Sequence, residues 1–323
     1  MYLKLITVLA ALAMSATAAT GQVAPKTSAA ESAPLAYAAH RVYNTHLRRF
    51  TDFESLLADA ATADVLFLGE QHDDPITHAL ETAALAGLTR RRGNIVLAME
   101  MFERDAQSSL DAYLSGRLPE SDFLAASRPW PRYRSDYRPM VEIAKSYHWP
   151  VIASNVPRRF ASLIARRGLA GIGDSVPSAE RAFAARAFNC PHDDYFSRFA
   201  TTMGDMSGHG APAKAQTEQE KNATLERVYH AQCVKDETMG ESIAMAYAAA
   251  PPHALVVHVN GSFHSDYRMG TVERAEHQLP GKRIVVVSFV PVADLDAADG
   301  PAQKKLGDYV VFTLAPPKLV PSP

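Results

Sequence analysis

The chain has 323 residues, of which 47% are hydrophobic and 21% charged. This is an ordinary globular composition, long enough for one large domain or two smaller ones. A formal net charge of −2 gives no electrostatic basis for binding nucleic acid, and beyond the N-terminal segment no apolar run approaches the length of a membrane span.

The N-terminus has the parts of a secretory signal. Lys4 supplies a thin positive region, residues 5–14 are apolar except for Thr7, and Ala16-Thr17-Ala18 offers a small-x-small cleavage site. We therefore expect a signal peptide over residues 1–20, a linker over 21–40, an α/β domain over 41–315 and a loose, Pro-rich tail over 316–323. No cysteine near the cleavage site could carry a lipid, so the expected product is secreted, periplasmic in a bacterial cell, and not a lipoprotein. Cys190 and Cys233 are the only cysteines. A lone pair in an oxidising compartment is expected to form a disulfide, stabilising by up to about 4 kcal/mol in the chain-entropy model.

Residues 53–61 have a helical pattern and lead into an apolar strand at 65–68. Ile76, Leu80, Ala83, Ala84 and Leu88 then recur at helical spacing, with Pro75 suited to a first turn and Gly93 to a stop, which predicts a helix over 75–92. A second strand is expected at 94–100. Strand, helix, strand is a βαβ unit, so the two strands should be parallel with a right-handed crossover. Helices are expected at 105–114, 119–126, 139–147 and 158–167, with a third strand at 151–155. The run 128–139, dense in arginine and aromatics, cannot be regular helix throughout, and 171–178 reads as a break.

Residues 179–250 read as a helical insertion: a helix at 179–188, a mixed stretch at 189–216 and one long helix over 218–250. The sheet resumes at 254–259 and continues at 283–290 and 309–314, with a helix at 271–278. The expected class is α/β, a largely parallel β-sheet flanked by helices, with a small helical subdomain.

Glu70, His72, Glu100 and His264 each fall at or just past the carboxyl end of a predicted strand, and Asn155 closes another. Parallel strands in one sheet would bring them to one edge, where α/β folds bind ligands. Two carboxylates and two imidazoles suit a divalent metal, held by Glu70, His72 and His264, or general acid–base chemistry. Each has a bland alternative. Glu70 could cap the helix that starts near Pro75, His72 could be a solvated loop residue, and Glu100 could pair with Arg104.

On the long helix, Tyr229, Gln232, Asp236, Met239, Ile243 and Tyr247 share one face. A buried amide or carboxylate there must be paired, so Gln232 and Asp236 could face the site. Met203 and His209 could make a soft metal or haem contact, or sit in a solvated loop. The Arg/aromatic run at 128–138 could dock a carboxylate such as a porphyrin propionate, or wrap the surface.

Taken together, Leu68-Gly69-Glu70-Gln71-His72-Asp73, Ala98-Met99-Glu100-Met101-Phe102, Ala231-Gln232-Cys233-Val234-Lys235-Asp236 with Met239, and Gly261-Ser262-Phe263-His264 resemble the ChaN family of haem-binding uptake proteins. That family lies in the Tiki and erythromycin-esterase-like superfamily. The resemblance runs from about residue 47 to 292. It implies an α/β domain with a small helical subdomain, haem binding in iron acquisition, and tyrosine ligation of the iron at a homodimer interface. Tyr195, Tyr229 and Tyr267 are the candidate ligands by their nearness to the matched segments, with Arg198 or Arg268 to favour the phenolate. Other members of the superfamily use the Gly-x-x-His and glutamate residues for metalloprotease or esterase chemistry, which here would fall to Glu70, His72, Glu100 and His264.

The leading expectation is an exported haem- or iron-binding protein. The alternatives are a hydrolase acting through the same four residues, and a non-enzymatic binding module that uses the fold but not the cluster.

Overall fold

In the computed structural model, which describes residues 37–207 and 217–315, two short strands, β1 (His40–Asn44) and β2 (Arg49–Thr51), precede helix α1 (Phe53–Ala60). Strand β3 (Val65–Glu70), helix α2 (Pro75–Leu88) and strand β4 (Ile95–Glu103) form the expected βαβ unit. Helices α3 (Gln107–Leu114), α4 (Glu120–Ser127), α5 (Tyr133–Asp136) and α6 (Arg138–Ser146) lead to β5 (Val151–Asn155). Helices α7 (Arg158–Arg167), α8 (Ala170–Ser175), α9 (Asp194–Ser207) and α10 (Glu218–Ala249) follow, then β6 (Leu255–Gly261), α11 (Thr271–Gln278), β7 (Ile284–Val292) and β8 (Tyr309–Leu314). The expected signal peptide, most of the linker, His209 and the tail lie outside the described residues.

The described strands form one sheet in the order β2-β1-β8-β7-β3-β6-β4-β5. From β8 to β5 every pairing is parallel, whereas β1 joins β8 and β2 antiparallel. The sheet is therefore mostly parallel, as expected. Both faces are covered, and the strand sequences show how. Leu66 and Leu68 pack with Leu97, Met99, Val257 and Val259 in one core beneath α1, α2, α3 and α6. The alternate residues Val65, Phe67, Val96, Ala98 and Val256 pack on the other face with Ile243, Ala246, Val272 and Ala275 of α10 and α11. A strand buried on both sides reads as a continuous apolar run because its period of two is hidden. Fully burying one such Leu side chain is worth roughly 1.5–3 kcal/mol.

The helix ends are set by local chemistry. Asp74 caps α2 by accepting from the Ile76 amide at 3.0 Å, with Pro75 at the first helical position. Thr217 and Glu220 form a reciprocal capping box on α10, each cap being worth about 1 kcal/mol. The disulfide Cys190–Cys233 ties the segment before α9 to α10, with Cα atoms 5.8 Å apart.

Several expectations require correction. The strands β1 and β2 at one end of the sheet were not anticipated, and β3 and β4 run on to Glu70 and Glu103. The expected helix at 179–188 is only a short 3-10 segment, Ser178–Phe183. Much of the stretch read as mixed is helix α9, held by Phe196, Phe199 and Met203 packing with Tyr195 against Tyr229 of α10. Helix α8 occupies much of the expected break at 171–178.

Candidate functional site

Parallel pairing brings the carboxyl ends of β3, β4 and β6 to one edge, with Glu70 level with Gly261. The alternation of each strand then divides the acids between the two faces. Glu70 continues the Leu66–Leu68 row toward α2, while Glu100 continues the Val96–Ala98 row toward α10. Gly261 lies between them. A Cβ added to it would come within 2.6 Å of the His72 ring, so this close approach requires glycine.

On the α2 side, His72 Nδ1 donates to Glu70 Oε1 at 2.6 Å, and the Tyr137 hydroxyl donates to the same oxygen at 2.8 Å. His78 of α2 places Nδ1 3.4 Å from Glu70 Oε2 and 3.1 Å from Glu81 Oε2. Its Nε2 lies 3.2 Å from the backbone carbonyl of His72. Glu70, His78 and Glu81 are all buried. Burial works against ionising Glu70, but its hydrogen bond to His72 and the nearby charge of His78 prevail and hold its carboxyl below the ordinary value. Glu81 goes the other way, pushed well up by burial and by the charge of Glu70. Burial also opposes charge on His72 and His78, yet the adjacent carboxylates raise both, His78 to about 11.

On the α10 side, His264 sits between two acids. Its Nδ1 donates to Asp236 Oδ1 at 2.6 Å and its Nε2 lies 3.3 Å from Glu100 Oε1. Asp236 is fully committed, accepting also from Tyr195 at 2.7 Å and Thr271 at 2.8 Å. Gly270 lets these groups converge. It adopts φ +58°, and a Cβ there would come 2.8 Å from the His264 carbonyl and 3.0 Å from Asp236. Glu100 Oε2 accepts from the Gly261 amide at 2.8 Å, and Asn155 donates to the Glu100 carbonyl at 3.1 Å. Burial opposes the His264 charge, but Glu100 and Asp236 lift it to about 10. Burial likewise opposes ionisation of Glu100, and His264 and His72 outweigh it and hold its carboxyl far below the usual range. The two acids therefore favour the imidazolium form of His264, which can donate a proton or hold an anion.

Glu70, His72, Glu100 and His264 thus share one cavity of 350 Å³, walled by Trp130, Phe199, Met203, Gln232, Lys235 and Phe263. A neighbouring cavity of 360 Å³ shares Trp130, Phe199, Met203, Gln232 and Lys235 and adds Arg158. Two of the bland alternatives fail, since Asp74, not Glu70, caps α2 and Arg104 pairs with Glu241 at 3.1 Å rather than with Glu100, while His72 stands exposed in the turn after β3. The amide nitrogen of Gln232 lies 3.3 Å from the Tyr195 hydroxyl and 3.4 and 3.3 Å from the two ring nitrogens of His264.

The expected metal set Glu70, His72 and His264 is corrected. Among the described residues, the group whose ligand atoms lie within 4.8 Å of one another is Glu70, His78 and Glu81. The tyrosines also separate. Tyr195 and Tyr229 are buried and line neither cavity, their hydroxyls donating to Asp236 and to the Pro191 carbonyl at 2.7 Å each. Burial and the Asp236 charge push the Tyr195 phenol well up, against the phenolate that iron would need. Tyr267 is 42% exposed, and the Arg198 guanidinium lies over its ring and that of Phe263 at 4.9 and 4.2 Å. Arg268 turns away to Glu276 and Asp308.

The Arg/aromatic run wraps the site. Trp130 packs edge-on against His72 at 4.9 Å, and Arg132 donates to the His72 carbonyl while pairing with Asp136 at 2.9 Å. Sequence reasoning missed His78, Glu81 and Tyr137. The usable signal was His78 and Glu81 three residues apart in the helix that follows Glu70.

The solved structure of ChaN of Campylobacter jejuni, described as showing cofacial heme binding, superposes with a TM-score of 0.62 at 18% identity, covering 85% of this chain and 97% of that one. The type III effector HopBA1 aligns with a TM-score of 0.44 at 12% identity, over 81% of this chain and 92% of that one, too distant to carry an argument. Protein RETICULATA-RELATED 5, chloroplastic, of Arabidopsis thaliana is 22% identical over 270 residues, 79% of this chain but only 35% of that protein's length. The chain thus spans about a third of the length of the curated relative it matches. The family described as "Haem-binding uptake, Tiki superfamily, ChaN" matches residues 56–275, the span that holds every residue of the shared cavity, and the chain belongs to that family.

Proposed function

We propose that the protein is an exported haem-binding protein serving iron acquisition. The observation that carries this reading is the cavity at the carboxyl edge of the sheet. Its walls suit a planar apolar macrocycle that bears carboxylates: Trp130, Phe199, Phe263 and Met203 supply the apolar surface, while Lys235 and, in the adjoining cavity, Arg158 supply cations for the propionates. His72 is the donor we assign to the iron. Its Nδ1 is fixed by Glu70, and its Nε2 has no hydrogen-bond partner among the described residues. A carboxylate on the far nitrogen orients a ligating imidazole and raises its basicity. When bound, haem supplies the redox-active iron. The residues of this chain orient His72, enclose the ring and neutralise its carboxylates.

Family membership supports haem as the ligand, and the disulfide is consistent with export. The hydrolase reading is less well supported, because the family match is to a haem-binding family.

Titration with haem tests the proposal. We expect a saturable Soret shift, with affinity at least tenfold weaker in His72→Ala. A shift that never saturates refutes haem binding. Saturable binding that His72→Ala leaves intact but Tyr267→Phe abolishes moves the iron ligand to Tyr267.

A further inference from the structure

Beneath the cavity floor, Glu70 and Glu81 bury two carboxylates around a single imidazole, that of His78. Two of their oxygens, Glu70 Oε2 and Glu81 Oε1, are buried without a hydrogen-bond partner. Buried carboxylate oxygens are normally satisfied, and an orphan pair calls for an explanation. The spacing offers one. A divalent ion with ligand bonds of about 2.1 Å sets neighbouring donor atoms about 3.0 Å apart at right angles and about 3.4 Å apart at the tetrahedral angle. The distances from His78 Nδ1 to the two carboxylates are 3.1 and 3.4 Å, and all three donor atoms lie within 4.8 Å of one another. The far nitrogen of His78 faces the His72 carbonyl at 3.2 Å, the partner that ligating histidines commonly find for their other N–H.

We propose that Glu70, His78 and Glu81 bind a divalent first-row transition ion of the Zn²⁺ or Mn²⁺ class in a buried site that adjoins the cavity and shares Glu70 with it. The donor set of one imidazole and two carboxylates suits ions of this class. An ion there satisfies the orphan Glu70 Oε2, lies against the Glu81 carboxyl that carries the other orphan, and balances the two acids. It also fixes Glu70, whose other oxygen accepts from His72 and Tyr137, so the ion would position the histidine that enters the cavity. The inference does not depend on the haem reading, and its test uses no haem.

The full chain, stripped with chelator and titrated with Zn²⁺, should take up one ion per chain by elemental analysis. Glu81→Gln should weaken uptake at least tenfold. A competing surface site is available where His192 and His230 meet Glu226 at 2.9 and 3.1 Å, so the double variant His192→Ala/His230→Ala should retain full uptake. X-ray absorption on the Zn²⁺-loaded native protein should report one imidazole in a nitrogen–oxygen shell, a result that needs no variant to fold. Absence of stoichiometric uptake, uptake that survives Glu81→Gln or fails in the surface variant, or a second imidazole on the metal each overturn the proposal.

Discussion

Replacing Glu100 by Gln removes one of the two carboxylates that keep His264 charged. In the native protein these acids, working against burial, lift the imidazole from 6.5 to about 10. At about 1.4 kcal/mol per tenfold, that net separation corresponds to about 5 kcal/mol by which the two acids exceed the cost of burial. The His264 side chain is 6% exposed, so solvent screens little of it. Asp236 is the closer partner, at 2.6 Å against 3.3 Å for Glu100. The charge of Glu100 acts more strongly than that of Asp236, and the hydrogen bond of Asp236 more strongly than that of Glu100, so Glu100 is assigned about half, at least about 2 kcal/mol, short of the about 3–5 kcal/mol that breaking a buried pair costs.

A raised imidazole stabilises the fold fully below its unfolded value, and this contribution is lost as pH climbs through the folded value. The deficit of Glu100→Gln should therefore be largest near about pH 6 and shrink as pH rises through about 10, above which His264 is neutral in both proteins. On the acid side, Glu100 is a depressed carboxylate. The native advantage should fade again as pH falls below its ordinary value of 4.5 and on toward its lower folded value. Urea unfolding of both proteins across this range measures the difference directly. A deficit that stays constant from neutral pH to about pH 10 would refute the imidazolium clamp.

Gly261→Ala should drive a methyl group into the His72 ring, which lies 2.6 Å from the position of the new Cβ. We expect haem affinity to fall at least tenfold, with a melting temperature lowered by a few degrees, as read by Soret titration and calorimetry. Reducing the Cys190–Cys233 bond, whose cysteines are 43 residues apart, should cost about 2–4 kcal/mol in urea unfolding. An unchanged midpoint would refute restraint of the unfolded chain by this disulfide as a source of stability.

Much of this molecule was legible because its information is local. The apolar runs at Val65, Ile95 and Ile284, the first-turn Pro75 and the helical spacing along α10 each act within a few residues of chain. The meeting of Glu70, Glu100 and His264 was also legible, since parallel strands carry their carboxyl ends to one edge. Asp236 could be matched to that edge because a carboxylate on an apolar helix face needs a partner.

What the sequence determined by itself was therefore the mostly parallel sheet, the long helix and the edge at which the polar residues gather. Other features depend on partners distant in the chain. Strands β1 and β2 exist because β8 offers β1 an antiparallel edge 265 residues away, the separation of Asn44 and Tyr309. Glu70 and Glu100 answer to different helices because strand alternation sends them to opposite faces. His78 and Glu81 look in sequence like an ordinary polar helix face, and only the seating of α2 on the sheet buries them against Glu70. Tertiary packing makes that decision because an ionisable side chain takes its protonation state and its available partners from what surrounds it, and those surroundings are assembled from segments that do not adjoin in the chain.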